Sequence, residues 1–185
     1  ARAYTGRNRV ALCREHNFFS YDDWFIATTP VDCGIPAETR ALSIGFSYND
    51  LSSIEALFSD RNHDIACLIM EPVKFDPPSD GFLQKVQALC KREGIVFVLD
   101  EMITGFRWHL KGAQHYYGVQ ADLCTFGKAM ANGYSVSCVA GRREIMQLGS
   151  IEFPGQERVF LLSTTHGAEM AGMGAFVATL QFLER

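Results

Sequence analysis

The chain has 185 residues, which is long enough for one domain with a hydrophobic core. A net charge of −4 excludes a protein that binds nucleic acid mainly by electrostatic attraction, and no apolar run approaches the roughly 20 residues of a membrane-spanning helix. The six cysteines form no CxxC pair and occur mostly in apolar segments, so we expect buried, reduced thiols and a cytoplasmic protein.

The first half of the chain alternates short β-rich runs with helical patterns. Glycines mark the ends of two predicted helices in this half, and an Asn-Asp cap marks the start of one. In chain order the pattern predicts a short helix ending at Gly6, strands at 9–13 and 41–46, a helix from Leu51, a strand at 65–70, a helix from Phe82 to Gly94, and a strand at 95–99.

The second half continues the same alternation. It predicts a helix at 112–117, strands at 123–126 and 137–140, a helix at 142–148, a strand at 159–162 and an apolar helix from Gly167 to the end. Strands that are apolar on both faces and separated by helices are typical of an α/β fold, in which a mostly parallel sheet is flanked by helices on both faces.

Two of the predicted strands end in ionisable residues. One strand runs into Asp100-Glu101, and another runs into Gly127-Lys128. Ligands of open α/β sheets bind beyond the carboxyl ends of the strands, so both ends can face one site. Taken singly, the acid could be a turn residue and the lysine a solvated surface residue.

The sequence around these residues resembles that of a known family. Phe97-Val-Leu-Asp-Glu-Met-Ile-Thr-Gly-Phe-Arg107 and Asp122-Leu-Cys-Thr-Phe-Gly-Lys-Ala-Met-Ala-Asn-Gly133 resemble the signature of class III aminotransferases, and blocks at 1–7, 70–73 and 81–83 also match. The resemblance is greatest to glutamate-1-semialdehyde 2,1-aminomutase and its polysaccharide-cluster relatives. It implies that 1–185 form the large domain of the aspartate-aminotransferase-like fold, a fragment whose small domain and upstream phosphate loop lie outside this chain.

The resemblance implies pyridoxal 5′-phosphate (PLP) as the cofactor. Lys128 corresponds to the lysine that forms the Schiff base and then moves a proton as general base and acid. Asp100 corresponds to the carboxylate that keeps the pyridine nitrogen protonated. Met102 and Phe18 correspond to residues that pack on the two faces of the ring.

Three further residues are implied to be near the cofactor. Glu71 corresponds to the family's glutamate beside it, although an acid at the edge of the core is an equal alternative. Ser163 and Thr164 match a loop that reaches the phosphate of the neighbouring subunit's cofactor in a homodimer. A simple Ser/Thr helix cap also fits that loop.

The implied reaction is transfer of an amino group between a small-molecule amino donor and a keto or aldehyde acceptor. An aminomutase, which is an isomerase, is the alternative. Two departures favour transfer: Phe18-Phe19-Ser20 replaces the family's Tyr-His-Gly, and Asp76 stands where the aminomutases carry Asn.

Two other classes of protein stay open as remote alternatives. A P-loop NTPase is one, because 96–101 also resembles a magnesium-binding strand; Gly127-Lys128, however, lacks the leading glycine and the following hydroxyl of the P-loop. A non-catalytic relative on the same fold is the other. His63, His109 and His115 lack metal-ligand spacing, and we interpret them as surface or hydrogen-bonded histidines.

Overall fold

A computed structural model describes residues 1–16, 19–60, 63–152, 158–159, 167 and 169–185. The chain divides into two compact units, Ala1–Val98 and Leu99–Arg185. None of the helices in these described ranges has both the length and the apolar character needed to cross a membrane.

The first unit alternates strands with helices of very different lengths. Its elements are α1 (Arg2–Thr5), β1 (Arg9–Cys13), α2 (Asp23–Ile26), α3 (Ala37–Arg40), β2 (Ser43–Phe46), α4 (Leu51–Phe58), β3 (Ile65–Met70) and α5 (Phe82–Glu93). The next strand, β4 (Val96–Asp100), begins in this unit and ends in the second.

The second unit has shorter strands and one long terminal helix. Its elements are α6 (Ala113–Tyr116), β5 (Leu123–Phe126), a 3₁₀ helix (Lys128–Met130), β6 (Cys138–Gly141), α7 (Arg143–Met146), a second 3₁₀ helix (Gln147–Gly149) and α8 (Met170–Leu183). The strands follow the order β2-β1-β3-β4-β5-β6 in a mostly parallel sheet. β1 pairs in parallel with β2 and β3, whereas β6 runs antiparallel to β5. The predicted α/β fold is confirmed.

The core follows from apolar runs that bury both faces of the central strands. Five of the six residues of β3 are buried, and every residue of β4 is buried. Helix α5 buries one stripe at helical spacing, formed by Phe82, Leu83, Val86, Leu89 and Cys90. Gly94 ends α5 in the left-handed conformation, as its place in the sequence predicts.

Several predicted boundaries are wrong by one to three residues. β2 begins at Ser43 instead of 41, β4 extends to Asp100, and α8 begins at Met170. The sequence pattern missed α2 and α3, because four residues are too few to show helical periodicity. The strand predicted at 159–162 falls mostly outside the described residues, and Val159, which is described, is not in a strand.

The cysteine prediction needs one correction. Cys13, Cys67, Cys90 and Cys124 are buried, and Cys138 is half-buried, but Cys33 is exposed. Cys33 lies between α2 and α3, in a segment that contains two prolines and belongs to no helix or strand. All six thiols are free.

Candidate active site

Asp100 is the last residue of β4, and its side chain is held from two directions. The residue is 7% exposed. Its Oδ1 atom accepts a hydrogen bond from the backbone N–H of Met102 at 2.9 Å and another from the Thr125 hydroxyl at 3.0 Å. Thr125 lies on β5, and its carbonyl accepts from the N–H of Glu101 at 2.9 Å. The pairing of β4 with β5 therefore fixes the orientation of the Asp100 carboxylate.

Lys128 follows β5 directly and opens a 3₁₀ helix. Its side chain is exposed, and its backbone adopts φ 45°, a left-handed conformation that is uncommon for a residue with a side chain. Gly127 before it is buried. A Cβ atom at Gly127 would lie 2.5 Å from Cε of Met102 and 2.9 Å from its Sδ.

Met102 thus joins the two strand ends. Its N–H holds Asp100, and its thioether lies against Gly127, next to Lys128. Only glycine leaves room for this contact without moving the thioether. Three residues that the sequence predicted for one site, Asp100, Met102 and Lys128, accordingly occur in one local arrangement within the second unit.

Glu101 is a residue that the sequence analysis left without a role. Its side chain is completely buried and accepts hydrogen bonds from the backbone N–H groups of Ala113 and Gln114, both at 2.8 Å. The Thr104 hydroxyl also donates to it. Glu101 therefore ties the loop after β4 to the start of α6. The adjacent Asp100 lies at the beginning of that loop.

Glu71 lies just after β3 in the first unit. It is 4% exposed, and its Oε1 accepts from the Lys74 ammonium at 2.9 Å. Its Oε2 is buried and has no hydrogen-bond partner among the described residues. Most buried polar atoms have a partner, so an orphaned carboxylate oxygen is an unusual feature that a bound group could satisfy.

His16, which follows β1 in the same unit, forms a hydrogen bond with the backbone of Glu71. Its Nδ1 accepts a hydrogen bond from the backbone N–H of Glu71 at 2.9 Å, which assigns the ring hydrogen to Nε2. Burial, and then the charge of Lys74, lowers the pKa of His16 to about 4. The imidazole is therefore neutral at pH 7 and serves as a hydrogen-bond acceptor.

The remaining predicted residues have different outcomes. Phe18, Ser163 and Thr164 lie outside the described residues. Asp76 is exposed, and together with Lys74 it lines a cavity of about 260 Å³.

The histidines are placed as follows. His63 is buried and its Nδ1 accepts from the N–H of Ile65, while the rings of His109 and His115 stack with centroids 4.1 Å apart. The described ranges contain no group of three residues that could hold a metal ion.

Comparison with known families decides what this arrangement belongs to. The family model of aminotransferase class-III matches residues 1–185, which is the entire chain. The chain belongs to the class-III aminotransferases. This membership accounts for the strand-end acid and lysine better than a nucleotide-hydrolysing fold does.

Solved structures of several other proteins share the fold. An omega-transaminase from Sphaerobacter thermophilus is 26% identical, with a TM-score of 0.88 over 98% of this chain and 45% of its own. The FumI protein of Sphingopyxis sp. MTA144, solved in its PLP internal aldimine form, is 25% identical, with a TM-score of 0.83 over 100% of this chain and 43% of its own. A transaminase with PLP bound is 26% identical, with a TM-score of 0.84 over 98% of this chain. The chain therefore spans less than half the length of these relatives.

The residues of this chain fit PLP chemically. Asp100 offers a buried, oriented carboxylate to a protonated ring nitrogen, and Lys128 offers an exposed primary amine after a small residue. An oriented acid and a primary amine are the groups that a protonated pyridine nitrogen and an aldehyde require.

Proposed function

We propose that this protein is a PLP-dependent aminotransferase that moves an amino group from a small-molecule amino donor to a keto or aldehyde acceptor. The observation that carries the proposal is the Asp100 carboxylate, buried at the end of β4 and fixed by Thr125 and Met102. Family membership over the full chain supports it. When bound, PLP supplies a protonated pyridine ring that stabilises negative charge on the substrate carbon.

Asp100 keeps the proton on the ring nitrogen in this proposal. A carboxylate that is buried and hydrogen-bonded on one oxygen cannot rotate away, so its charge stays directed at one place. Such a charge favours the cationic ring, and one unit of pKa shift corresponds to about 1.4 kcal/mol. Met102 and Phe18 are proposed to cover the two faces of the ring.

Lys128 is proposed to bind the cofactor through Nζ and to exchange with the incoming amine. Once Nζ of Lys128 is free, it would take the proton from the substrate carbon as general base and give it, as general acid, to the carbon that then carries the amino group. Exposure of the Lys128 side chain permits both tasks, because the amine must reach the cofactor and then leave it.

Borohydride reduction followed by peptide mapping tests the lysine. Reduction of the holoenzyme fixes the cofactor to the lysine that carries it, and we expect the label on Lys128. The Lys128→Arg variant keeps the charge and should lose both the label and turnover, whereas Lys85→Arg, at an exposed position on α5, should keep both. A label on any other lysine would reject the assignment.

We favour intermolecular transfer over the 2,1-aminomutase reaction. The Phe18-Phe19-Ser20 block and Asp76 differ from the aminomutase pattern, and this is the reason for the preference. The full-length protein, assayed with glutamate and a panel of nucleotide-sugar ketones and semialdehydes, should release a keto acid in proportion to the new amine. Conversion of a semialdehyde without release of a keto acid would instead establish the mutase.

The assembly and the compartment belong to the same proposal. We infer a cytoplasmic homodimer in which Ser163 and Thr164 of one subunit contact the cofactor phosphate of the other. Hydroxyl groups can donate hydrogen bonds to a phosphate. Sedimentation of the holoenzyme tests the dimer, and a Thr164→Val variant should raise the Kd of the cofactor several-fold.

A further inference from the structure

A second cavity, of about 570 Å³, lies in the first unit beside the carboxyl end of β1. Its size is within the roughly 300–1,000 Å³ that small-molecule sites occupy. Its wall combines the residues after β1 with β2, with α2 and the turn after it, and with α3. The carboxyl ends of parallel strands are where α/β sheets bind ligands.

Two arginines line this cavity, and they differ in what they contact. The guanidinium of Arg40 pairs with Asp32 and donates to the carbonyls of Asp32 and Ile35, so its role is to fold its own loop. The guanidinium of Arg14 has no hydrogen-bond or ion-pair partner among the described residues. The described wall contains no acidic side chain, so the charge of Arg14 is not neutralised within the cavity.

The Arg14 side chain is exposed, and it lies against β2 because Gly45 there has no side chain. A Cβ atom at Gly45 would lie 2.4 Å from Nε of Arg14 and 2.7 Å from its Cγ. The arginine side chain therefore lies flat on the backbone of β2. Glycine is unfavourable inside a strand and often marks a place where another group approaches closely. Here the group is the side chain of Arg14, which also lines the cavity.

The hydroxyl groups of the wall are oriented as acceptors. Thr28 donates to the carbonyl of Phe25 at 2.7 Å, Thr29 to that of Ile26 at 2.8 Å, and Ser43 to that of Trp24 at 2.5 Å. Each hydroxyl has used its single proton, and Thr29 Oγ1 also accepts from the N–H of Val31 at 3.3 Å, so only the remaining lone pairs can bind a ligand. A ligand that satisfies the wall must therefore bring its own hydrogen-bond donors.

We propose that this cavity binds the anionic group of a hydroxylated small molecule, a carboxylate or a phosphate monoester, with Arg14 as the anion-binding residue. The planar guanidinium matches either anion with two parallel hydrogen bonds, and the ligand's hydroxyls donate to the threonine and serine oxygens. The proposal does not depend on the aminotransferase activity, because Arg14 and the hydroxyl residues that carry it have no assigned role in that reaction.

Titration calorimetry on the holoenzyme tests the site, because bound PLP already fills the cofactor's own phosphate site. The probes are glucose 1-phosphate, inorganic phosphate and, as the neutral control, glucose. We expect glucose 1-phosphate to bind more tightly than phosphate, and glucose alone to show no binding. Arg14→Gln should raise the Kd for glucose 1-phosphate by about tenfold or more.

Two further variants separate a built site from general attraction. Gly45→Ala leaves every charge in place but displaces the Arg14 side chain, and it should weaken binding several-fold. Lys85→Gln removes one positive charge from an exposed position on α5 and should leave binding unchanged. Equal binding by wild type and Arg14→Gln, or an equal loss in Lys85→Gln, would overturn the proposal, as would no binding of either anion.

The source of the anionic group is resolved by turnover assays. If glucose 1-phosphate competes with the keto or aldehyde substrate, the site holds an anionic group of that substrate. If it binds calorimetrically without competing, the site holds a separate anion. Calorimetry measures binding even if the protein has no aminotransferase activity. Failure of the proposed reaction is therefore distinguishable from failure of this site.

Discussion

Replacing Glu101 with glutamine should destabilise the protein strongly although the two side chains have nearly the same shape. The carboxylate is completely buried and accepts three hydrogen bonds, from the N–H groups of Ala113 and Gln114 and from the hydroxyl of Thr104. An amide keeps one acceptor oxygen and replaces the other with an NH₂ group, which must then face a donor.

The expected magnitude follows from the donors that lose their acceptor. Leaving a buried donor unsatisfied costs about 1–3 kcal/mol, and the lost bonds are to a charged group. At least one backbone N–H loses its acceptor, and the repulsion between two donors adds to this loss. We therefore expect Glu101→Gln to lower the free energy of unfolding by about 2–4 kcal/mol.

Urea denaturation of the full-length protein, followed by circular dichroism, measures this loss. Glu55→Gln is a matched control, because Glu55 is exposed on α4 and the same chemical change there should stay within about 0.5 kcal/mol of wild type. If Glu101→Gln were as stable as Glu55→Gln, the reasoning from its three buried hydrogen bonds would be refuted.

Three further predictions follow. Thr125→Val removes one of the two hydrogen bonds described here to Asp100 Oδ1. Losing about 1 kcal/mol of transition-state stabilisation should lower kcat about fivefold, and unchanged kinetics would contradict the role of Thr125. Gly112→Ala places a Cβ atom 2.4 Å from Glu101 Oε1 at φ 81°, so thermal unfolding should show a loss of more than about 2 kcal/mol. His16 has a folded-state pKa below its unfolded value of 6.5, so its contribution to the free energy of unfolding is complete above pH 6.5. That contribution should fall by about 2 kcal/mol, allowing for screening, as the pH drops toward 4. His16→Asn keeps an acceptor and should flatten this part of the pH dependence measured by urea unfolding, and an unaltered pH dependence would exclude His16.

The strands and strand ends were predictable because they depend on local patterns. Continuous apolar runs identified β1, β3 and β5 to the residue, and they placed Asp100 and Lys128 where strands end. Glycine at helix ends gave the left-handed caps at Gly6 and Gly94. Such features arise from neighbours along the chain, which a single sequence displays directly.

The partners of the site residues were not predictable in the same way. Thr125 reaches Asp100 only because β4 and β5 are neighbours in register, and nothing in the run Leu123–Phe126 distinguishes its threonine from an ordinary strand residue. Likewise, Glu71 and His16 are separated by 55 residues along the chain. Contacts of this kind depend on tertiary packing, which composition and periodicity do not encode.

The hydrogen bond across β4 and β5 also limits how the gene for this chain can change length. Side chains alternate between the two faces of a strand, so deleting a single codon within β5 would turn the Thr125 hydroxyl to the opposite face and leave Asp100 with one donor fewer. Insertions in the exposed part of the loop after β4 leave this register untouched. Length variation among natural homologues should therefore collect in that loop and be absent from the two strands.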